Sequence, residues 1–84
     1  MARVRVLLFA TAREAAGRGR LELTIPEAGA RVDAVLEELR DRYPRLAPVL
    51  ATSRIFVNGE SVARRTAPLA PDDELAIHPP YSGG

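Results

Sequence analysis

The most restrictive feature of this sequence is a change of hydrophobic period at Val32. The segments on either side alternate apolar and polar residues, which is the pattern of strands with one buried face. The helix that begins there should end by Tyr43, because Pro44 lacks an amide donor and disfavours helical geometry in the residue before it. Its apolar residues recur at helical spacing, at Val32, Val35, Leu36, Leu39 and Tyr43. One amphipathic helix between alternating segments predicts an α+β domain.

Five alternating segments predict strands, over residues 3–9, 21–25, 55–57, 60–64 and 74–78. We expect a short helical turn ending at Gly17 between the first two, and a connection over residues 45–53. Asn58-Gly59 predicts a type I′ hairpin turn, since both central positions of that turn need positive φ. Two hairpins around one helix favour a β-grasp domain: a mixed sheet of four to five strands, the helix across one face, and the first and last strands side by side at the centre.

Length and composition exclude several classes of protein. The 84 residues allow one domain, which we place at residues 1–78, with an extended tail at residues 79–84. Cysteine is absent, which excludes disulfides and thiol chemistry and favours a cytoplasmic location. No apolar run approaches the roughly 20 residues that cross a bilayer, and residues 1–10 interleave charged with apolar residues, unlike a signal peptide. We therefore expect no membrane association and no export.

The charged and polar side chains predict no active site of their own. A net charge of +1, with only two Phe and two Tyr, argues against nucleic-acid binding, although Arg64-Arg65 could contribute to an anion-binding patch. His78 is the single histidine and has no cysteine partner, so no metal site is predicted. The pairs Glu37-Glu38 and Asp72-Asp73 are expected to be solvated, on a helix face and in a turn. Every basic residue is arginine, so the chain could donate, but not accept, in a lysine isopeptide bond.

The end of the chain is its most unusual segment. Pro79-Pro80 should stop sheet pairing and project an extended tail that reaches at most about 20 Å, ending in Tyr81, Ser82, Gly83 and Gly84. Glycines leave the backbone free to enter a narrow channel. A terminal carboxylate that an ATP-consuming partner converts to an acyl-adenylate can accept sulfur and become a thiocarboxylate. A frayed end without chemistry is the competing interpretation.

These residues resemble a known family, the MoaD-type small subunits of molybdopterin synthase, which are ubiquitin-like sulfur carriers. The similarity is strongest over residues 69–80 and at the Tyr81-Ser82-Gly83-Gly84 end. Supporting similarities lie in Phe9-Ala10, Arg13-Glu14, Gly17, the helix ending at Leu39, and Asn58-Gly59.

The resemblance implies a function for Gly84. An E1-like, MoeB-type enzyme would use ATP to adenylate its carboxylate, a sulfur donor would convert the adenylate to a thiocarboxylate, and the MoaE-type large subunit would pass the sulfur to cyclic pyranopterin monophosphate. Two small and two large subunits would assemble, and this chain would bind no cofactor itself. Gly83 would accompany Gly84 into the active site. The implied partner-binding residues are Phe9, Val62 and His78, on the exposed sheet face, and Pro79, Pro80, Tyr81 and Ser82.

Two departures from the family pattern leave other functions open. His78 stands where the family usually has an apolar or aromatic residue, and Asp72-Asp73 replaces a commoner Gly-Asp. Carriers for cysteine synthesis or tRNA thiolation share much of this pattern. The thiamine thiazole carrier resembles it less, because of the long connection between the first two strands and the Pro-Pro here. A noncovalent β-grasp binding module, with a frayed end at Gly83-Gly84, is the alternative of a different class.

Overall fold

The computed structural model describes residues 1–80 of the chain. Five strands form one sheet, in the order β2-β1-β7-β4-β5, and two short strands, β3 and β6, pair separately. The elements in chain order are β1 (Ala2–Leu8), α1 (Ala10–Ala16), β2 (Arg20–Ile25), β3 (Ala30–Arg31), α2 (Val32–Arg42), α3 (Leu46–Thr52), β4 (Arg54–Val57), β5 (Glu60–Ser61), β6 (Pro68–Leu69) and β7 (Glu74–His78).

The first and last strands are neighbours in the middle of the sheet, which confirms the predicted arrangement. β1 and β7 run parallel, with Val6 opposite Leu75 and Leu8 opposite Ile77. The other strand pairs of this sheet are antiparallel. A parallel pair needs a long crossover, and the chain between β1 and β7, which includes α2, provides it. This topology is the β-grasp fold.

The core lies between the helices and one face of the sheet. The period-two alternation of β1 and β2 and the helical period of α2 decide which side chains are inside, because burying a Leu, Ile or Val contributes about 1.5–3 kcal/mol. Leu75 and Ile77 of β7 are fully buried at its centre. The predicted inward-facing residues of the other elements are buried as well, namely Val4, Val6, Leu8, Leu21, Leu23, Ile25, Val32, Val35, Leu36 and Leu39.

Two helices are more extensive than the sequence indicates. Residues 45–53 were predicted to be a connection, and this was wrong, because they contain α3. Pro48 lies in the first turn of α3, where its missing amide has no intrahelical acceptor, so it does not break the helix. Leu46 and Leu50, one turn apart, are fully buried. α1 is a seven-residue helix rather than a single turn, and it ends at Gly17 with φ of 76°, as predicted.

The β4–β5 hairpin has the predicted turn but a shorter second strand. Asn58 and Gly59 have φ of 51° and 85°, the left-handed values that a type I′ turn requires. β5 ends at Ser61 rather than at residue 64. Beyond it, Arg65 donates from Nη2 to the carbonyl oxygens of Leu50 at 2.6 Å and of Ser53 at 3.0 Å. The Arg65 side chain thus contacts the end of α3, and the carbonyl oxygen of Arg65 accepts from the amide of Asp33 at the start of α2 at 2.7 Å.

The separate β3–β6 pair was not predicted, because two-residue strands have no measurable period. It depends on Gly29, where a Cβ would lie 2.7 Å from the carbonyl oxygen of Leu69 and where φ is 96°. Across residues 1–80, the helices are all too short or too polar to cross a membrane.

Candidate docking face and the root of the tail

The position of β7 decides where the chain leaves the sheet. β7 lies between β1 and β4 and ends at His78. Phe9 still donates its amide to the carbonyl oxygen of Ile77 at 3.3 Å, so β1 stays attached to β7 up to its last residues. Pro79 is half-buried and has no amide to donate, and Pro80 is exposed. The chain therefore departs from the centre of the sheet and not from an edge.

Three rings form an aromatic stack next to this point, on the outer face of the sheet, which is the face opposite the helices. The stack consists of Phe9, His78 and Phe56. The rings of Phe9 and His78 are nearly parallel, with centroids 4.4 Å apart and planes inclined by 16°. Phe56 meets His78 edge-on, at 4.9 Å and 75°. Both are favourable geometries for ring pairs. Phe9 remains 40% exposed, so the stack presents apolar surface to solvent.

A second row of side chains adjoins the aromatic stack across the same strands. Its members are register neighbours in the order Arg20, Leu7, Ala76, Phe56 and Ser61. The centre of this row is apolar, with Leu7 half-buried and Ala76 buried. We call the apolar surface made by Phe9, His78, Phe56, Leu7 and Ala76 the platform. An apolar patch rimmed by polar side chains is typical of a protein interaction site.

Val62 lies on the opposite face of the sheet from Phe9 and His78. Its amide donates to the carbonyl oxygen of Ile55 at 3.0 Å, and its side chain packs against the hydrophobic core. The expectation that Val62 shares the exposed face was wrong. In the β4–β5 register it is Ser61, the partner of Phe56, that faces outward. The sequence does not show which face Val62 lies on, because β5 has only two residues and too few alternating positions to distinguish the two faces.

Charges on the outer face are unevenly distributed along the strands. Away from the tail, Arg5 is the register neighbour of Glu22 on β2 and of Glu74 on β7, so opposite charges alternate across the sheet. Next to the platform, Arg20 lies opposite Leu7 and Arg54 lies opposite His78. Among residues 1–80, neither Arg20 nor Arg54 forms an ion pair. The end of the face from which the tail leaves is therefore the basic end.

A cavity of about 490 Å³ opens at the β2 side of the platform. Arg13 and Arg20 line it together with Leu7, Phe9 and Ala10. A cavity lined by apolar residues and two arginines suits a partner side chain that carries a carboxylate, because arginine binds carboxylates with two parallel hydrogen bonds.

The end of the sheet away from the tail is held by a side-chain network. Asp73 accepts from Asn58 Nδ2 at 3.0 Å and from the amide of Ala70 at 2.8 Å. Asn58 Oδ1 accepts from the amide of Glu74 at 2.9 Å. Asp72 is exposed, with φ of 69°. The pair Asp72-Asp73 is thus a turn, as predicted, although Asp73 has a structural role beyond solvation.

Several other charged side chains, among them Glu38 and Arg65 from the pairs noted in the sequence, have partners within the chain. Glu38 pairs with Arg42 at 2.9 Å on the solvent side of α2. Arg65 caps α3, so it does not contribute to an anion-binding patch. The Arg31 guanidinium donates to Asp33 and thereby lowers the pKa of that carboxyl below its ordinary value. Within the described residues, no group of three His, Cys, Asp or Glu side chains could hold a metal ion.

The structure brings some of the predicted partner-binding residues together. Phe9 and His78 are in contact, and Pro79 and Pro80 follow directly. Phe56 was missed, although its position between the inward-facing Ile55 and Val57 in β4 could have identified it as an outward-facing aromatic residue. Four predicted site residues lie outside the described part of the chain, namely Tyr81, Ser82, Gly83 and Gly84.

Comparison with known proteins gives consistent matches over nearly the whole chain. A family model described as the ThiS family matches residues 6–84. A molybdopterin synthase sulfur carrier subunit from Arabidopsis thaliana is 40% identical over 81 residues, which cover 96% of this chain and 82% of that protein. One of the same name from Dictyostelium discoideum is 31% identical over 81 residues, covering 95% of this chain and 94% of that protein.

A solved structure agrees with these sequence matches. The solution structure of small archaeal modifier protein 1 from Methanosarcina acetivorans superimposes with a TM-score of 0.82 at 36% identity, covering 100% of this chain and 98% of that one. The similarity includes the β-grasp topology as well as the sequence. Since a family model matches almost the full length, from β1 to the last residue, the chain belongs to the ThiS family.

Proposed function

We propose that this chain is the sulfur carrier subunit of a molybdopterin synthase and that its reactive group is the carboxylate of Gly84. The observation that carries the proposal is the similarity, over nearly full length, to two curated proteins of that name. The match to the ThiS family covers residues 6–84, so the matched segment includes Gly83 and Gly84.

The proposed chemistry takes place at one carbonyl carbon. A carboxylate oxygen of Gly84 attacks the α-phosphorus of ATP, and pyrophosphate leaves, which gives an acyl-adenylate. A sulfide equivalent from a sulfur donor then attacks the acyl carbon, and AMP leaves, which gives the thiocarboxylate. The sulfur is transferred to cyclic pyranopterin monophosphate in the large subunit, and hydrolysis restores the carboxylate. Partner enzymes provide ATP and catalysis, so this chain needs no cofactor of its own.

The geometry of the described residues supports a carrier that inserts its tail into other proteins. The chain leaves the sheet at Pro79, beside the platform, so a partner could bind the platform and receive the tail at the same time. We propose that Phe9, Phe56 and His78 contact the partner body. Pro79, Pro80, Tyr81 and Ser82 would then lead Gly83 and Gly84 into its active site.

Two partners follow from this proposal. One is an E1-like, MoeB-type adenylating enzyme, and the other is a MoaE-type large subunit, which would assemble with this chain as two small and two large subunits. Both reactions belong to the cytoplasm, where we place the protein. The absence of cysteine fits a reducing compartment.

Intact-mass measurement tests the proposal. The chain is incubated with the adenylating enzyme, ATP and a sulfur donor, and one oxygen should be exchanged for sulfur at the terminus. A matched chain extended by one alanine after Gly84, and a reaction without ATP, should show no exchange. If the natural chain is also unchanged, the carrier function is refuted.

A second assay tests the pathway. The thiocarboxylated chain should form molybdopterin with the large subunit and the pterin precursor. Failure at that step alone would favour a carrier for cysteine synthesis, tRNA thiolation or thiamine thiazole.

The likeness to a small archaeal modifier protein supports a second candidate function, attachment to other proteins. The acyl-adenylate would be shared, but a lysine amine of a target would displace AMP and form an isopeptide bond with Gly84. Because this chain has no lysine, it could act only as the donor. Trypsin cuts this chain last after Arg65, so mass spectrometry of digested cell proteins would reveal target lysines that carry residues 66–84, and their absence would exclude this function.

A further inference from the structure

We propose that Arg20 and Arg54 determine which protein docks on the platform, by pairing with carboxylates that the partner carries on either side of an apolar pocket. The inference rests on the proposed function to the extent that the partner is the protein that receives the tail. It adds the chemistry of that partner's surface, which no similarity to the family specifies.

The two arginines lie on opposite sides of the platform. Arg20 is on β2 and Arg54 is on β4, with β1 and β7 between them. At the usual spacing of neighbouring strands, the two backbones are about 14 Å apart across the sheet. Arg20 is the register neighbour of Leu7, and Arg54 is the register neighbour of His78, so each arginine borders a residue of the platform. A partner that covers the platform must also cover both cations.

Arg20 and Arg54 differ from Arg5 on the same face, because Arg5 has acidic register neighbours and they do not. Farther from the tail, Arg5 lies between Glu22 and Glu74, so that part of the face is balanced within the chain. Arg20 and Arg54 are both exposed. Among residues 1–80 their side chains have neither an ion pair nor a hydrogen bond. Their charge is left for a partner to neutralise.

The cavity on the β2 side of the platform supplies a place for one of the carboxylates. Its volume of about 490 Å³ is enough to admit a side chain, and Arg20 lines it beside Leu7 and Phe9. An aspartate or glutamate that entered this cavity would bring its methylene groups against the apolar wall and its oxygens to the guanidinium group.

An acidic protein surface fits this face better than a nucleic acid does. Glu22 lies two residues along β2 from Arg20, and Glu74 lies two residues along β7 from Ala76 of the platform. Two residues of a strand span about 7 Å. Glu22 and Glu74 would repel a phosphate backbone that ran along the strands, whereas a protein can place its carboxylates at two points only. Charge pairs at the rim of an apolar contact mainly raise the association rate and exclude partners of the wrong charge.

Association kinetics with the cognate large synthase subunit test the inference. We would compare the natural chain with Arg20→Glu, Arg54→Glu and Arg54→Lys. Arg64→Glu is the matched control, because Arg64 is exposed and lies beyond the end of β5, outside the platform. At low salt, each of the two platform reversals should lower the association rate constant by about tenfold or more, and the difference should shrink as salt is added. Arg54→Lys and Arg64→Glu should stay close to the natural chain.

Melting temperatures of all variants show whether the fold is retained, and substitutions at these exposed, unpaired positions should change them little. Unchanged association of Arg20→Glu and Arg54→Glu would overturn the inference, and so would a loss that does not depend on salt. The proposed function would stand in either case if Gly84 still exchanged oxygen for sulfur. If the natural chain neither bound the large subunit nor underwent that exchange, both would fall. Binding of RNA that Arg54→Glu abolished would assign the arginines to nucleic acid and contradict the inference.

Discussion

His78 illustrates, at the scale of single residues, how a position that is ambiguous in sequence becomes interpretable in the sheet. As the only histidine of the chain it lacks partners for metal binding or catalysis. In the structure it lies between the rings of Phe9 and Phe56. The imidazole of His78 is itself a flat aromatic ring that stacks on Phe9, which explains how a polar residue is accommodated in an apolar platform. The sequence-based interpretation of His78 as an interface residue stays a prediction.

Phe56 and Val62 should respond differently to truncation, because they lie on opposite faces of the sheet. Phe56→Ala should weaken binding of the large subunit by about tenfold or more, as expected for an aromatic residue at the centre of a contact. Val62→Ala should lower the free energy of unfolding by about 1 kcal/mol and leave binding unchanged, because it packs on the core. Calorimetric titration and urea denaturation of both variants provide the measurements. A binding defect in Val62→Ala without one in Phe56→Ala would contradict this assignment of faces.

Asp72 explains one departure from the family pattern, since its φ of 69° lies in the left-handed region that favours glycine. Asp72→Gly should raise the free energy of unfolding by about 0.5 kcal/mol, because relief of the unfavourable φ exceeds the entropy that glycine adds to the unfolded chain. Asp73→Ala serves as the opposite control, since loss of its two hydrogen bonds should cost about 1–2 kcal/mol. Urea denaturation measures both, and destabilisation by Asp72→Gly would show that its side chain has a role of its own.

Single elements differ in how much of their structure is encoded locally. The long helix α2 carries an apolar stripe over three turns, and its end at Arg42 agrees with the prediction from Pro44. The short helix α3 has two fully buried residues, Leu46 and Leu50, and Arg65 from a distant part of the chain donates to carbonyl oxygens at its C-terminal end. A helix that depends on such a contact cannot be recognised from its own residues.

Arg65 and Arg64 form a matched pair for testing this dependence. Arg65→Gln should lower the free energy of unfolding by about 2 kcal/mol, because two carbonyl oxygens at the end of α3 lose a charged donor. Arg64→Gln should change it by less than about 0.5 kcal/mol, since that side chain is exposed. Thermal and urea unfolding would measure the difference, and equal effects of the two substitutions would disprove the capping role.

For the molecule as a whole, the central parallel pair of β1 and β7 connects stability to function. The last strand, β7, is the central strand of the sheet and has three buried residues. It therefore stabilises the core, and the chain beyond His78 leaves from the middle of the sheet. The platform, the two unpaired arginines and the exit of the tail therefore occupy the same end of the outer face. Gly83 and Gly84 lie outside the described residues, and their role stays part of the proposed function.

Deletion of Gly84 should separate folding from function. Removing this residue should abolish formation of the thiocarboxylate, because the carboxylate of Gly83 would be one residue short of the active site of the adenylating enzyme. The melting temperature should stay within about 1 °C of the natural value, since every core residue among residues 1–80 precedes Pro79. Intact-mass analysis and circular dichroism provide the two readouts. A marked loss of melting temperature would mean that the tail belongs to the folded domain.

The sequence by itself determined the main strands, the long helix and the Asn58-Gly59 turn, because repeated apolar positions and left-handed turn residues are local signals. The family was indicated separately, by the resemblance of residues 69–84 to known sulfur carriers. The sequence also pointed to Phe9 and His78. Only the tertiary structure decided which side of the β4–β5 hairpin faces outward, and hence that Phe56, not Val62, joins them. It likewise decided that Arg20 and Arg54 have no ion pair within residues 1–80. The physical reason is that register and charge neutralisation depend on contacts between strands that are far apart in the chain.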